Sequence, residues 1–253
     1  MTDLYLVGIG TGNPEHLTLQ AVRALNAVDL ILIPRKGRDK ADLAELRREI
    51  CAAVVTNPAT VFAEFDLPVR DAANPDYHAG VDAWHDAIAG VWAGVIAAHP
   101  GARKVALLVW GDPSLYDSTL RIAARLQPAP RITVIPGITS MQVLTASHAI
   151  PVNEIGAPFQ VTTGRRLRDE GWPPGVGSVV VMLDGACSFA TLAPEGVTIW
   201  WAAYVGMPQQ ITLSGPLAEV GPQIIKARAR ARASHGWIMD IYLLRRSAIS
   251  GGQ

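Results

Sequence analysis

The sequence predicts an α/β protein of two domains, each built on its own β-sheet. Three observations predict this class. Short apolar runs alternate with longer helical patterns through the first half of the chain, as in parallel βαβ units. After Thr139 the strand-like runs lie closer together, which is typical of a mixed sheet with hairpins. Several of the runs end in glycine or proline, which predicts tight loops at the strand ends.

The N-terminal elements begin with one βαβ unit. Leu4–Ile9 is an apolar run, Leu17–Val28 has helical spacing, and Asp29–Ile33 is a second apolar run. The pattern then recurs, and right-handed crossovers predict five strands in one parallel sheet. The other predicted elements of this half are helix Asp39–Val55 with a charged face, strand Thr60–Phe65, helix Asp76–Ala98, strand Val105–Trp110, helix Leu115–Leu126 and strand Arg131–Ile135.

The C-terminal elements predict a mixed sheet that helices cover. Val197–Tyr204 and Gln210–Ser214 are separated by little more than a turn at Gly206-Met207-Pro208, which indicates a hairpin. We place the domain boundary near Ile138, which gives domains of residues 1–138 and 139–253. The other predicted elements are strands Phe159–Thr163, Ser178–Leu183 and Met239–Arg245 and helices Ser140–Ala149 and Leu217–Ala233.

Composition narrows the classes of function. Hydrophobic residues make up 49% of the 253 residues, which is enough for a buried core. Lys and Arg together number 22, as do Asp and Glu, and this balance argues against nucleic acid as the main partner. Cys51 and Cys187 form neither a disulfide framework nor a zinc site, and the scattered histidines indicate no metal centre. Without a signal peptide or a membrane-spanning run, a cytoplasmic protein with no membrane partner is expected.

The first strand ends in a glycine-rich loop, Gly8-Ile9-Gly10-Thr11-Gly12. A dinucleotide fingerprint needs Gly-x-Gly-x-x-Gly and an acid about 20 residues later, at the end of the second strand. Here the third glycine comes one residue early, and the second strand ends in Ile33-Pro34-Arg35-Lys36 without an acid. The loop therefore departs from an NAD site, and a tight turn without a ligand stays open as an alternative.

Four further predicted strands also end in loops that contain a glycine. Each is also consistent with a turn or with the start of a helix, so none specifies a ligand alone. Open α/β sheets nevertheless bind ligands at the carboxyl ends of their strands. These segments are Trp110–Tyr116, Val134–Ser140, Val179–Gly185 and Ala202–Gln210.

In their order and spacing, these loops resemble the tetrapyrrole methylase family. The shared motifs are the Gly8–Pro14 loop followed by Leu17-Thr18-Leu19, the central Gly111-Asp112-Pro113, the Pro136–Ser140 segment, the Val-Met strand end and the late glycine loop, spanning Tyr5 to Leu244. The resemblance implies a class III methyltransferase with S-adenosylmethionine (SAM) in a cleft between two α/β domains. It also implies S-adenosylhomocysteine as the product and a homodimer.

Within the family, three segments look most like the members that methylate C1 of precorrin-5. They are Gly8–Asn13, Ile33–Gly37 and Tyr204–Gln210. The implied reaction gives precorrin-6A with release of acetate, in cobalamin biosynthesis. Two alternatives stay open: methylation of another precorrin carbon by the same fold, and, from another class, an NAD-dependent oxidoreductase.

The resemblance also carries over the residues that contact the cofactor. SAM has a carboxylate, an ammonium, a sulfonium and an adenine but no phosphate, so backbone amides and hydroxyls suit it better than a phosphate cradle. The implied cofactor-binding residues are Thr11, Trp110, Gly111, Asp112, Leu115, Thr139, Ser140, Met182 and Gly206.

The sequence departs from the family just after the second strand. Some members carry an acid there that is linked to proton transfer, but this chain has Pro34. We interpret Arg35 and Lys36, which follow it, as cations that face a carboxylate-rich tetrapyrrole, with a solvated basic loop as the alternative. The acid or base for acetate release stays open, and the candidates at strand ends are Asp112, Tyr116 and Asp184.

Overall fold

The computed structural model describes residues 1–35, 41–70 and 76–247, without the side chains of Ala41, Asp42 and Tyr77. The described chain forms two compact units, Met1–Thr139 and Ser140–Gln253, and the division lies beside the predicted boundary near Ile138. Each unit contains a five-stranded sheet. The predicted class, with one parallel and one mixed sheet, is confirmed.

The first sheet is parallel throughout and has the strand order β3-β2-β4-β1-β5. This order places β1 between β4 and β5, so the loops that follow these three strands are neighbours at one edge. The strands are β1 (Asp3–Gly8), β2 (Leu30–Arg35), β3 (Val61–Asp66), β4 (Lys104–Val109) and β5 (Arg131–Ile135), and the helices are α1 (Leu19–Leu25), α2 (Ala41–Val54), α3 (Tyr77–Ala97) and α4 (Thr119–Ala123).

The core of this domain lies on both faces of the sheet. Alternate residues of β2 show this, because Leu30 and Leu32 pack in the cluster that includes α3, whereas Ile31 and Ile33 pack in the cluster that includes α1 and α2. A strand that is buried on both faces reads as a continuous apolar run rather than an alternating one. That property is why the strands could be predicted from short apolar runs.

Helix α4 is shorter than predicted. The sequence predicts a helix from Leu115, but α4 begins at Thr119. Tyr116 has a φ of 50°, in the left-handed region, which a right-handed helix cannot include. The carboxylate of Asp117 accepts a hydrogen bond from the Thr119 N–H at 2.6 Å, at the start of the helix. The segment after Pro113 is therefore a turn, and Leu115 lies in the loop.

The second sheet is mixed and has the order β6-β7-β10-β8-β9. Strands β6 and β7 pair in parallel, and the other pairs are antiparallel, including the predicted hairpin of β8 and β9. The strands are β6 (Phe159–Thr163), β7 (Ser178–Met182), β8 (Val197–Ala203), β9 (Ile211–Pro216) and β10 (Asp240–Arg246), and the helices are α5 (Ser140–Ser147), α6 (Gly164–Glu170) and α7 (Leu217–His235).

Helix α6 is absent from the sequence prediction. It follows β6 directly, and the Thr163 side chain caps it by accepting a hydrogen bond from the Arg166 N–H. Gly171 ends it with a φ of 75°, a backbone conformation that favours glycine. Within the described residues, no helix combines the length and the apolar character needed to cross a bilayer.

Candidate functional site

Three glycines from neighbouring strand ends of the first domain pack directly against each other. A Cβ atom on Gly8 would lie 2.6 Å from the Gly137 nitrogen and 2.8 Å from the Gly111 carbonyl oxygen. A Cβ on Gly137 would overlap that same oxygen. The Gly111 N–H also donates to the Gly10 carbonyl at 2.7 Å. The loops after β1, β4 and β5 thus form one backbone surface that only glycine permits.

Asp112 ties two of these loops together. Its carboxylate accepts hydrogen bonds from the Gly137 N–H at 2.9 Å and from the Ser114 N–H at 2.8 Å. Burial opposes ionisation of Asp112, but the hydrogen bonds from Ser114 and Gly137 outweigh it and lower the pKa. An ionised carboxylate that is already bonded on both oxygens is suited to holding the loops in place.

Thr11 lies in the first loop and is almost buried. Its hydroxyl is hydrogen-bonded to Nδ1 of His16 at 2.9 Å. Burial lowers the pKa of His16, although nearby Glu15 acts in the opposite direction. The imidazole is therefore neutral near pH 7 and fixes the orientation of the Thr11 hydroxyl. Sequence reasoning missed His16, for which the only signal was its position five residues after Thr11.

The other predicted cofactor residues of this domain lie at the same strand ends. Thr139 is almost buried, and its Cα would lie 3.5 Å from a Cβ on Gly111. Leu115 is half-buried in the turn after Asp112, and its N–H donates to the Asp112 carbonyl at 3.3 Å. Tyr116 follows it and is 45% exposed. The structure thus gathers every predicted residue of this domain that follows β1, β4 or β5.

Trp110 links this edge of the sheet to helix α2. It directly follows β4, and its side chain packs against the cluster that includes residues of α1 and α2. The guanidinium carbon of Arg47, on α2, lies 4.9 Å from the centre of the indole ring. The sequence predicts a charged face for this helix that includes Arg47, and the structure places Arg47 partly buried over an aromatic ring.

Arg35 and Lys36, the predicted substrate-facing cations, have different outcomes. Arg35 ends β2, and its guanidinium forms an ion pair with Asp66 on β3 at 2.9 Å and lies 3.8 Å from Glu64. Its charge is therefore matched by acids of the neighbouring strand. Lys36 lies outside the described residues.

In the second domain, the predicted residues occupy strand or helix ends of that domain. Ser140 begins α5, and Met182 ends β7; both are half-buried. Gly206 follows β8 with a φ of 79°, which favours glycine, and its N–H donates to the Gln210 side chain at 2.6 Å. The Gln210 side chain thus stabilises one conformation of the loop between β8 and β9.

Asp184 is held by four hydrogen bonds in the second domain. It accepts from the Tyr242 hydroxyl at 2.7 Å, from the Ser188 N–H at 2.6 Å and hydroxyl at 2.9 Å, and from the Ala186 N–H at 2.9 Å. Burial raises its pKa, but these bonds together lower it. A Cβ on Gly164 would overlap the Asp184 side chain, so the carboxylate is also closely packed. This arrangement favours a structural role for Asp184 over proton transfer.

Comparisons with known proteins agree with the loop motifs. Residues 3–221 match the model of the family Tetrapyrrole (Corrin/Porphyrin) Methylases. The chain is 47% identical to a Sinorhizobium protein named precorrin-6A synthase (deacetylating), over 98% of this chain and 97% of that protein. It is 30% identical to a Sinorhizobium precorrin-2 C(20)-methyltransferase, over 65% of this chain and 69% of that protein.

Solved structures show the same fold. A cobalamin synthesis related protein from Corynebacterium diphtheriae matches with a TM-score of 0.82 and 39% identity, over 97% of this chain and 99% of that one. A uroporphyrin-III C-methyl transferase from Thermus thermophilus, complexed with S-adenyl homocysteine, matches with a TM-score of 0.57 and 19% identity, over 96% and 92% of the two chains. Because the family model covers most of the chain and a relative matches along nearly its whole length, this chain belongs to the tetrapyrrole methylase family.

Proposed function

We propose that the protein methylates C1 of precorrin-5 with SAM as the methyl donor and releases acetate, giving precorrin-6A in cobalamin biosynthesis. The observation that carries this proposal is the 47% identity to a precorrin-6A synthase (deacetylating) over nearly the full length of both proteins. Membership of a methylase family disfavours the NAD-dependent oxidoreductase that the glycine loop alone had left open.

The strand-end loops of the first domain support SAM as the cofactor. The glycines Gly8, Gly111 and Gly137 let these loops close on one another, and Thr11 and Thr139 place hydroxyls at the same strand ends. Such groups fit a zwitterionic amino acid and an adenine. The proposed cofactor residues are those that the resemblance implies: Thr11, Trp110, Gly111, Asp112, Leu115 and Thr139 in the first domain and Ser140, Met182 and Gly206 in the second.

The chain's main contribution to methyl transfer is alignment. SAM supplies a methyl group that the positive sulfonium already activates, so donor and acceptor need chiefly to be held in line. Asp112 serves this role by fixing the loops after β4 and β5, and His16 by fixing the Thr11 hydroxyl. Both contacts are made by groups whose protonation state is settled near pH 7.

Acetate release needs water and a group that moves a proton. Asp112 and Asp184 each accept several hydrogen bonds and have a lowered pKa, which disfavours both as the base. Tyr116 is the most exposed of the three candidates and lies beside the proposed cofactor loop. We therefore keep Tyr116 as the first of these residues to test, with Tyr116→Phe compared for acetate release and methyl transfer separately.

Calorimetry with S-adenosylhomocysteine tests the cofactor assignment. We expect binding by the wild type and none by Gly111→Val, because Gly111 has a φ of 62° that a β-branched residue does not tolerate. Gly101→Val is the matched control, since a Cβ there meets no atom within 4 Å. Absence of binding to the wild type at millimolar ligand would contradict the proposal, and unchanged affinity in Gly111→Val would contradict the loop assignment.

Methylation of another precorrin carbon is the second candidate function. The 30% identity to a precorrin-2 C(20)-methyltransferase favours it as the alternative, although this match covers 65% of the chain. Carbon-13 NMR of the product made with SAM labelled in its methyl group separates the two. A new methyl signal at C1 supports the proposal, and one at any other carbon supports the alternative.

The assembly and the substrate contacts belong to the same proposal. The resemblance supports a homodimer, and the cysteine content supports a reducing cytoplasm. Light scattering coupled to size-exclusion chromatography tests the dimer. Arg35 and Lys36 stay proposed contacts of the tetrapyrrole carboxylates. At Arg35, a substrate carboxylate has to compete with Asp66.

A further inference from the structure

Arg47 and Trp110 each carry a buried hydrogen-bond donor, and the guanidinium lies over the indole ring. Within the described residues, neither Nε of Arg47 nor Nε1 of Trp110 has an acceptor. The guanidinium lies over the indole ring at 4.9 Å, and its Nη1 donates within its own helix, to the Leu43 carbonyl at 3.1 Å. Buried donors are normally paired, so two unpaired donors on stacked groups indicate a missing acceptor.

The charge of Arg47 has no matching acid in the described chain. Burial lowers the pKa of Arg47 to about 10, while Asp117 and Cys51 act in the opposite direction, so the group stays cationic near pH 7. Asp117 forms no ion pair with it, and its carboxylate accepts from the Thr119 N–H. Burial raises the pKa of Cys51 to about 11, so its thiol is neutral. A buried, unpaired charge destabilises the fold, so its presence in Arg47 points to a partner that the described chain does not contain.

The position of this pair connects it with the proposed cofactor loop. Trp110 directly precedes Gly111 and Asp112, so this residue lies next to the proposed cofactor loop in the sequence and at the same strand end. A carboxylate is the acceptor that suits a planar guanidinium beside an indole N–H. Arg35 is less suited than Arg47 to bind such a carboxylate, because Arg35 already forms an ion pair with Asp66.

We propose that Arg47 and the Trp110 indole N–H form a carboxylate-binding site for the ligands of the methyl transfer. The inference rests on the proposed function, and it adds Arg47 and a specific role for the Trp110 N–H to what the family resemblance supplies. The carboxylate has two possible sources with the same chemistry: the amino-acid end of the cofactor and a side chain of the tetrapyrrole. Arg47 binds and positions this group and takes no part in bond making.

Ligand binding and KM measured for the variant Arg47→Met test the site. Arg48→Met is the matched control. Arg48 is the next residue of α2, but it is paired with Glu45 and Glu64 at the surface. If the cofactor supplies the carboxylate, Arg47→Met weakens S-adenosylhomocysteine binding about 10- to 100-fold and leaves 5′-methylthioadenosine, which lacks the carboxylate, unchanged. If the tetrapyrrole supplies it, the KM for precorrin-5 rises by a similar factor and binding of S-adenosylhomocysteine is unchanged.

Thermal unfolding separates this role from a structural one. Arg47→Met should keep or raise the Tm, because it removes a buried unpaired charge while keeping the length of the side chain. Arg47→Lys keeps the charge and should bind with intermediate affinity. A lower Tm with unchanged affinity and KM would overturn the proposal. Failure of the wild type to bind S-adenosylhomocysteine would instead overturn the proposed function, so the two failures are distinguishable.

Discussion

Replacing Gly137 by alanine places a methyl group among the three interlocked loops of the first domain. The added carbon would overlap the Gly111 carbonyl oxygen and lie 2.8 Å from the Gly8 Cα, where ordinary contact begins at 3.4 Å. Both neighbours are backbone atoms of other loops, so neither can rotate away. The φ of Gly137 is not positive, so the clash rather than backbone strain is the reason for the effect.

The size of the effect follows from this geometry. Overpacking a closely packed site costs about 1–3 kcal/mol, and the absence of a movable side chain places this case at the upper end. The lower entropy of unfolded alanine offsets about 0.4–1 kcal/mol. A net loss of about 2 kcal/mol corresponds to a Tm lower by roughly 6 °C for a domain of this size. Because misplacement by about 1 Å can cost 100-fold in rate, we also expect loss of methyl transfer.

Differential scanning calorimetry and binding of S-adenosylhomocysteine check this prediction. Gly101→Ala is the control, since a Cβ there meets no atom within 4 Å, and it should change stability by less than about 0.5 kcal/mol. If Gly137→Ala melts within a degree of the wild type and binds the ligand equally well, the loops do not pack as described.

The remaining predictions concern three polar groups. Asp112→Asn places an amide N–H₂ against the N–H donors of the loops, so we expect the free energy of unfolding in urea to fall by about 1–3 kcal/mol and S-adenosylhomocysteine to bind more weakly. An unchanged urea midpoint would argue against the hydrogen bonds that join the two loops through Asp112. Tyr242→Phe removes one donor from the buried Asp184 carboxylate and should cost about 1.5–3 kcal/mol, with a loss below 0.5 contradicting the network. His85 is 3% exposed, and burial lowers its pKa below 6.5. The unfolded chain therefore protonates His85 more readily than the folded chain does, so this contribution to the stability of the fold is fully present above pH 6.5 and is lost as the pH decreases below it. His85→Leu should reduce the dependence of the Tm on pH in this range, and an unchanged dependence would refute the prediction.

Much of the fold could be predicted because the inner strands of the first sheet, β1, β2 and β4, are buried on both faces. The run Leu30–Ile33 shows this, since its alternate residues enter different core clusters. Helix α6 was missed, because its Gly164-Arg165-Arg166 start has no apolar periodicity and only Thr163 and Gly171 mark its ends. The late start of α4 depends on the left-handed Tyr116, which no local residue preference indicates.

The candidate site was predicted in its parts but not in its packing. The glycine motifs after β1, β4 and β5 could be found one by one, but their mutual contact depends on β1 lying between β4 and β5. Strand order is a non-local property that a single sequence does not state. Arg47 shows the same limit, because its helix has a charged pattern and only the tertiary structure places this residue over Trp110.

The proposed function requires one chain to couple methyl transfer to deacetylation. The direct measurement incubates the purified protein with precorrin-5 and SAM and quantifies acetate and S-adenosylhomocysteine in the same sample. The proposed function predicts equal molar amounts of the two products throughout the time course. S-adenosylhomocysteine that accumulates without acetate would contradict it.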